Sequence, residues 1–438
     1  MHFGPDSQAT ARFIPSAKSI YSHTLSSPSI RSPSWHLSGL VKDHINQIPQ
    51  CRGYSIVAGA PAQSDGASRI PQRIGAPTLD LKIASPLVHS RMASTGKITN
   101  WVAPGDKTGE FKRQASSFRD WISDAPGAKF PPEKGRYHLY VSYACPWAHR
   151  TLIARKLKGL EDFVSFSVVH WHMGDKGWRF ATPEDKDAEG ENVVPDPVPG
   201  HESHTHLRDL YFKVEPAYSG RFTVPVLFDK VSGAIVNNES SEILRMFGTA
   251  FDAHLPAALA AVDLYPESLR PEIDAAGLWT YDDINNGVYK SGFATTQEAY
   301  ERNVLRLFEA LDRVEDQLKK RSGDGPYFFG DVLTEVDVRL YVTLIRFDPV
   351  YVQHFKCNIR DIRSGYPAVH KWLRGLYWTH PSAAFRATTN FLHIKNHYTK
   401  SHTQINPFSI CPVGPLPDIL PLEDEVAAAA AVVKASSV

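Results

Sequence analysis

Apolar positions along the chain keep two different periods, and the change between them falls near residue 250. On the N-terminal side Tyr137-His-Leu-Tyr-Val141 reads as a strand, and Phe163 to Trp171 as a second. Between them Pro146 to Lys158 reads as a helix that turns Leu152, Ile153 and Leu157 inward. A long polar loop rich in Pro and His follows. Val224-Pro-Val-Leu-Phe228 and Ala234-Ile-Val236 then predict a hairpin, and Ser240 to Phe247 a short closing helix.

Beyond Phe251 the alternation stops and helical spacing takes over. From about Thr296 to Lys320, Val304, Leu307, Phe308, Leu311, Val314 and Leu318 recur every three or four residues. Thr295-Thr-Gln-Glu298 has the form of a capping box at its start, and Thr334-Glu-Val-Asp337 that of a second, with Leu333 able to staple against Val338. The order βαβ then ββα, followed by helices alone, predicts an α/β thioredoxin-like domain and then an all-α domain.

Before these elements, residues 1–91 show neither period, contain no Glu, and carry four Asp against nine Lys and Arg. Such a stretch reads as a disordered leader, or as a transit segment because it is Ser-rich, basic and poor in acids. The predicted division is therefore a leader over 1–91, a thioredoxin-like domain over 92–250, a helical domain over 251–415 and a tail over 416–438.

Composition narrows the function. Lys and Arg number 48 against 47 Asp and Glu, so no net field draws the chain to nucleic acid or to an anionic membrane. No apolar run approaches the ~18 residues that a spanning helix requires. Four cysteines in 438 residues form no disulfide framework and suit a reducing compartment. The expected location is the cytoplasm, or the mitochondrion if the leader is a transit segment.

Candidate chemistry begins at Cys145, in Ser142-Tyr-Ala-Cys-Pro-Trp-Ala148, where the first strand turns into the first helix. A helix N-terminus favours thiolate and Pro146 at its first position costs no backbone bond, which places Cys145 to be a nucleophile at neutral pH. A buried structural cysteine fits the same spacing. Ala148 stands where a dithiol motif has its second cysteine, so redox turnover requires an external thiol. Pro225 at the head of a strand suggests a cis peptide after Val224, exposing main-chain groups to an extended ligand. Asn237-Asn-Glu-Ser-Ser241 at a helix start offers amides to a carboxylate and Glu239 to an ammonium group. His170, His172, His201, His204 and His206 match no standard metal spacing and are expected on a solvated loop, with no metal.

Taken in order, the motifs carry a resemblance. Cys145-Pro-Trp-Ala148, Gly177-Trp178, Arg221-Phe-Thr-Val-Pro225, Asn238-Glu-Ser-Ser241, Asn286-Gly-Val-Tyr289, Arg346-Phe-Asp-Pro-Val-Tyr351 and His393-Ile-Lys-Asn-His-Tyr398 resemble those of the glutathionyl-hydroquinone reductases, the Xi class of glutathione transferases. The similarity runs from about Ile98 to about Pro415. It implies a catalytic Cys145, a glutathione site at Trp178, Arg221, Val224, Pro225, Glu239 and Ser240, and Tyr289 and Tyr398 as partners of the hydroquinone oxygens. Tyr351 is expected to line the same pocket. Glutathione is the implied co-substrate, glutathionyl-hydroquinones the implied substrates, and a homodimer the implied assembly. The alternatives are an Omega-like thioltransferase or dehydroascorbate reductase, using the cysteine without the tyrosines, and a non-catalytic binding scaffold.

Overall fold

The structure, a computed structural model, describes residues 101–102, 106–320 and 325–422. The expected leader over 1–91 and most of the expected tail lie outside these residues. The described residues belong to one compact unit.

Strand β1 (Tyr137–Val141) is buried at all five positions because it lies inside a four-stranded sheet ordered β2-β1-β5-β6. Helix α1 (Pro146–Leu157) carries the chain over to β2 (Val164–Val168), which pairs parallel with β1 from Tyr137 opposite Val164 to Val141 opposite Val168. On the other side β5 (Val226–Asp229) runs antiparallel, Tyr137 opposite Asp229, and β6 (Ala234–Asn237) closes the sheet as a hairpin. Between the two halves lie a small ribbon, β3 (Met173–Gly174) and β4 (Gly177–Trp178), and helix α2 (Leu207–Val214). Helix α3 (Ser240–Thr249) packs beside α1.

Three larger departures from the sequence reading stand out. The second strand stops at Val168 rather than Trp171, and β5 begins at Val226, after the proline, which has no N–H for a ladder. Helix α2 lies in the stretch read as loop; it is eight residues long and buries Leu207, Leu210 and Tyr211, too short a stripe to stand out among polar neighbours.

The helical region is built from Arg270–Trp279, Gly287–Gly292, Gln297–Lys320, Glu335–Leu344, Pro367–Thr379 and Phe391–Ser401. Two π-helical segments, Thr280–Asn285 and Phe347–Tyr351, interrupt it, as such segments often do near functional residues. At the start of Gln297–Lys320 the cap is Thr296, whose hydroxyl accepts the Ala299 N–H at 3.2 Å. The expected box at Thr295 does not form: the Thr295 N–H is bonded to the Gly109 carbonyl at 3.1 Å, and Ala299, three residues past the Thr296 cap, has no side-chain acceptor to complete a box there. The second box is as expected: Asp337 accepts the Thr334 N–H at 3.0 Å. Helix α1 sits between the sheet and this bundle, in contact with α3 and with Glu335–Leu344, so His149, Arg150 and Thr151 are buried along with its apolar residues.

Candidate active site

Cys145 is the N-cap of α1, extended at φ −77° and ψ 118°, with Pro146 in the first helical turn. Its half-buried Sγ faces the carbonyl of Val224 at 3.6 Å, across a Val224–Pro225 peptide that is cis. Burial pushes the Cys145 thiol up, opposed by the amides of Ala148 and Trp147 and by the charges of Arg113 and Arg346. The helix terminus therefore acts in the direction expected from the sequence, but desolvation is the larger effect.

One side of the cleft is built by the start of α3. Glu239 caps it, accepting the Ser241 N–H at 3.2 Å and the Ser116 hydroxyl at 3.0 Å, and Ser240 is the first helical residue. Burial alone raises the Glu239 carboxyl, yet its bonds from Ser241 and Ser116 and the charge of Arg113 hold it below the usual range. A carboxylate beside the positive end of a helix suits a ligand bearing both an ammonium group and a carboxylate. Trp178, delivered by the β3–β4 turn, stacks on His397 with centroids 4.6 Å apart. The guanidinium of Arg221 lies over Trp101 at 4.9 Å.

The opposite wall comes from the helical region. Tyr289, on Gly287–Gly292, and Tyr398, on Phe391–Ser401, bring their hydroxyls to 2.6 Å. Burial pushes both well above the usual tyrosine value, so both are neutral donors near pH 7. Such a pair of neutral hydroxyls can stabilise negative charge developing on a phenolic oxygen.

Nine residues singled out from the sequence, Cys145, Trp178, Arg221, Val224, Pro225, Glu239, Ser240, Tyr289 and Tyr398, line this one cleft of about 1120 Å³, open solvent included. Tyr351 does not. It is fully buried behind Tyr398, its hydroxyl 3.0 Å from that of Tyr398, and burial pushes it up to about 12. Its place inside the bundle follows from the π-helical turn that it ends.

Sequence reasoning missed Trp101, Phe111, Arg113, Ser116, Trp147, His397 and His402, which line the cleft too. The first four precede β1, where no period or motif marks them. His397 and His402 sit beside Tyr398 in a stretch that was already informative. The histidine-rich loop also differs from expectation: His201 is buried, and Asp196 accepts from the Nδ1 of His201 at 3.1 Å and of His204 at 2.9 Å. These three present ligand-type atoms within 4.8 Å of one another, though each imidazole N–H is already engaged by the carboxylate. Cys357 is buried and its thiol pushed up by that burial, in keeping with a structural role.

Family models agree with this architecture. The glutathione S-transferase N-terminal domain matches residues 144–250 and the C-terminal domain residues 297–375. The chain is 56% identical over 328 residues to glutathione S-transferase omega-like 2 of Schizosaccharomyces pombe, covering 74% of this chain and 99% of the relative. It is 48% identical over 330 residues to glutathionyl-hydroquinone reductase YqjG of Escherichia coli, covering 73% and 93%. Among solved structures, the Xi glutathione transferase ECM4 from Saccharomyces cerevisiae in complex with glutathione aligns with a TM-score of 0.65 at 49% identity, covering 70% of this chain and 100% of that one. The chain belongs to the Xi-class glutathione transferases, the family of the glutathionyl-hydroquinone reductases.

Proposed function

We propose that this protein removes glutathione from glutathionyl-hydroquinones, with Cys145 as nucleophile and glutathione as co-substrate. The observation that carries this reading is the meeting of Cys145 with the Tyr289–Tyr398 hydroxyl pair in one cleft. The thiolate of Cys145 attacks the sulfur of the conjugate and the carbon–sulfur bond breaks. Its electron pair goes to the hydroquinone, which takes up a proton, while Tyr289 and Tyr398 donate to the ring oxygens. A glutathionyl group remains on Cys145 as a mixed disulfide. A second glutathione, as thiolate, displaces it as oxidised glutathione and regenerates Cys145. In sum, conjugate and glutathione give hydroquinone and glutathione disulfide.

In this reading Glu239, Ser240 and the main chain of Val224 hold the γ-glutamyl and cysteinyl parts of glutathione, and Trp178 and Arg221 border the remainder. The match to a structure in complex with glutathione supports that half of the assignment. Tyr351 serves as a donor or acceptor to Tyr398 rather than as a wall of the quinone pocket. The protein is further proposed to be a homodimer through its helical domain, and to work in the cytoplasm, with a mitochondrial location as the outcome if residues 1–91 direct import. Light scattering and imaging of a tagged full chain test these two points.

The functional test compares three substrates on the purified chain: glutathionyl-menadiol, dehydroascorbate and a small mixed disulfide. Preference for the first supports the reading. Turnover of the other two with none of the first would make the protein a thioltransferase.

A further inference from the structure

Arg346 is a fully buried guanidinium, and its four bonds all go to neutral acceptors. Nε donates to the Ala144 carbonyl at 3.0 Å and one terminal nitrogen to the Tyr143 carbonyl at 2.8 Å. The other terminal nitrogen donates to the Val342 carbonyl at 2.6 Å and to Nδ1 of His149 at 3.1 Å. His149 is held neutral by burial, well below its usual value, and is placed by its Nε2 on the Thr388 hydroxyl at 2.8 Å. Among the described residues no carboxylate pairs with Arg346. A buried charge without a counter-ion is costly, so its retention calls for an anion that completes it.

The placement says which anion. The carbonyls of Tyr143 and Ala144 belong to the two residues immediately before Cys145, and the guanidinium comes from the helical side of the cleft. We infer that Arg346 is the positioning residue of the nucleophile: its fork fixes the turn that aims the Cys145 sulfur at the Val224 carbonyl, and its charge is completed by the Cys145 thiolate. Burial pushes Cys145, Tyr289, Tyr351 and Tyr398 up, and the charge of Arg346 pulls each of them back, at Cys145 as a smaller effect than that of Arg113. The charged and titratable groups around the sulfur are Arg113 from the segment before β1, His149 from α1, Tyr289 and Tyr351 from the bundle, and Arg346 itself. Of these, Arg346 is the one whose side chain is bonded to the turn that carries Cys145; His149 meets it only through its main-chain N–H, on the Cys145 carbonyl at 3.0 Å.

The inference rests on the reading of Cys145 as nucleophile but not on the identity of the substrate, and alkylation separates the two. Rates of Cys145 modification by iodoacetamide, read by intact mass across pH, are compared for the full chain, Arg346→Gln and Arg346→Lys, beside turnover of glutathionyl-menadiol. Loss of the charge in Arg346→Gln is expected to move the alkylation midpoint up by about one pH unit and slow modification near pH 7 by about tenfold. Arg346→Lys keeps the charge without the fork, so its midpoint stays near that of the parent while turnover falls. An Arg346→Gln protein that melts like the parent and shows an unchanged midpoint overturns the inference. If neither variant folds, Cys145→Asp and Cys145→Asn are compared in the Arg346 background. The two are about equal as hydrogen-bonding caps and the helix terminus favours the charged one only modestly, so a melting temperature higher by more than about 5 °C for Cys145→Asp supports the missing counter-ion and a smaller rise, none, or a fall contradicts it.

Discussion

Three tyrosines with one hydroxyl chain have unequal roles, and their positions say how unequal. Tyr289 and Tyr398 line the cleft, whereas Tyr351 lies behind them, its hydroxyl 3.0 Å from that of Tyr398. Tyr289→Phe and Tyr398→Phe are expected to slow deglutathionylation by about 100- to 1000-fold, the usual effect of one lost oxyanion donor, and to spare thiol transfer to a small disulfide. Tyr351→Phe removes only an orienting bond and is expected to cost about tenfold or less. Steady-state rates on both substrates decide the point. Equal losses in both activities for Tyr289→Phe and Tyr398→Phe would make the pair structural.

Among the elements, the helix Glu335–Leu344 depends on a single carboxylate. Asp337 is buried and accepts from the N–H groups of Phe328 at 2.8 Å and Thr334 at 3.0 Å and from the indole of Trp372 at 3.0 Å. Asp337→Ala leaves those donors buried without a partner and is expected to destabilise the fold by about 3–5 kcal/mol. Denaturant titration of the variant measures this; a loss under about 1 kcal/mol would contradict it. The same box was legible in the sequence because its spacing is local. β1, the core of α1 and the helix Gln297–Lys320 were legible too, from uninterrupted burial or a long period. What was not legible depends on contacts between distant segments. Thr296 displaces Thr295 as a cap through Gly109, His149 and Arg150 are polar yet buried between two layers, and Tyr351 is carried away from the cleft by a π-helical turn. The cleft residues Arg113 and Ser116 come from an irregular stretch with no period to mark them.

For the whole molecule, buried neutral histidines set the response to acid. Burial lowers His138 and His397 to about 3 and His354 and His393 to about 4, and takes His149 and His402 well below the usual value. The fold refuses protons that the unfolded chain binds near pH 6.5, so stability is complete above that value and is lost as the pH falls towards the folded values. Each histidine steepens the loss by about 1.4 kcal/mol per pH unit. Melting temperature should therefore hold between pH 8 and 7 and fall steeply from about pH 6 downward; a flat profile to pH 4.5 would contradict the neutral state of these rings. No helix among the described residues is long and apolar enough to cross a membrane. A chain beginning at Met92 is expected to keep full activity, because residues 1–91 show no period and too little apolar character to form a core. An inactive or insoluble product would assign that stretch to the fold.

In the proposed reaction Cys145 takes the glutathionyl group directly from the conjugate, and a single turnover reads this step. The full chain is mixed with glutathionyl-menadiol in the absence of free glutathione, and protein mass and released menadiol are followed together. One glutathionyl adduct, mapped to Cys145, is expected in step with one equivalent of menadiol, and neither product from Cys145→Ser. Menadiol released without an adduct, or an adduct on Cys357 or Cys411, would contradict it.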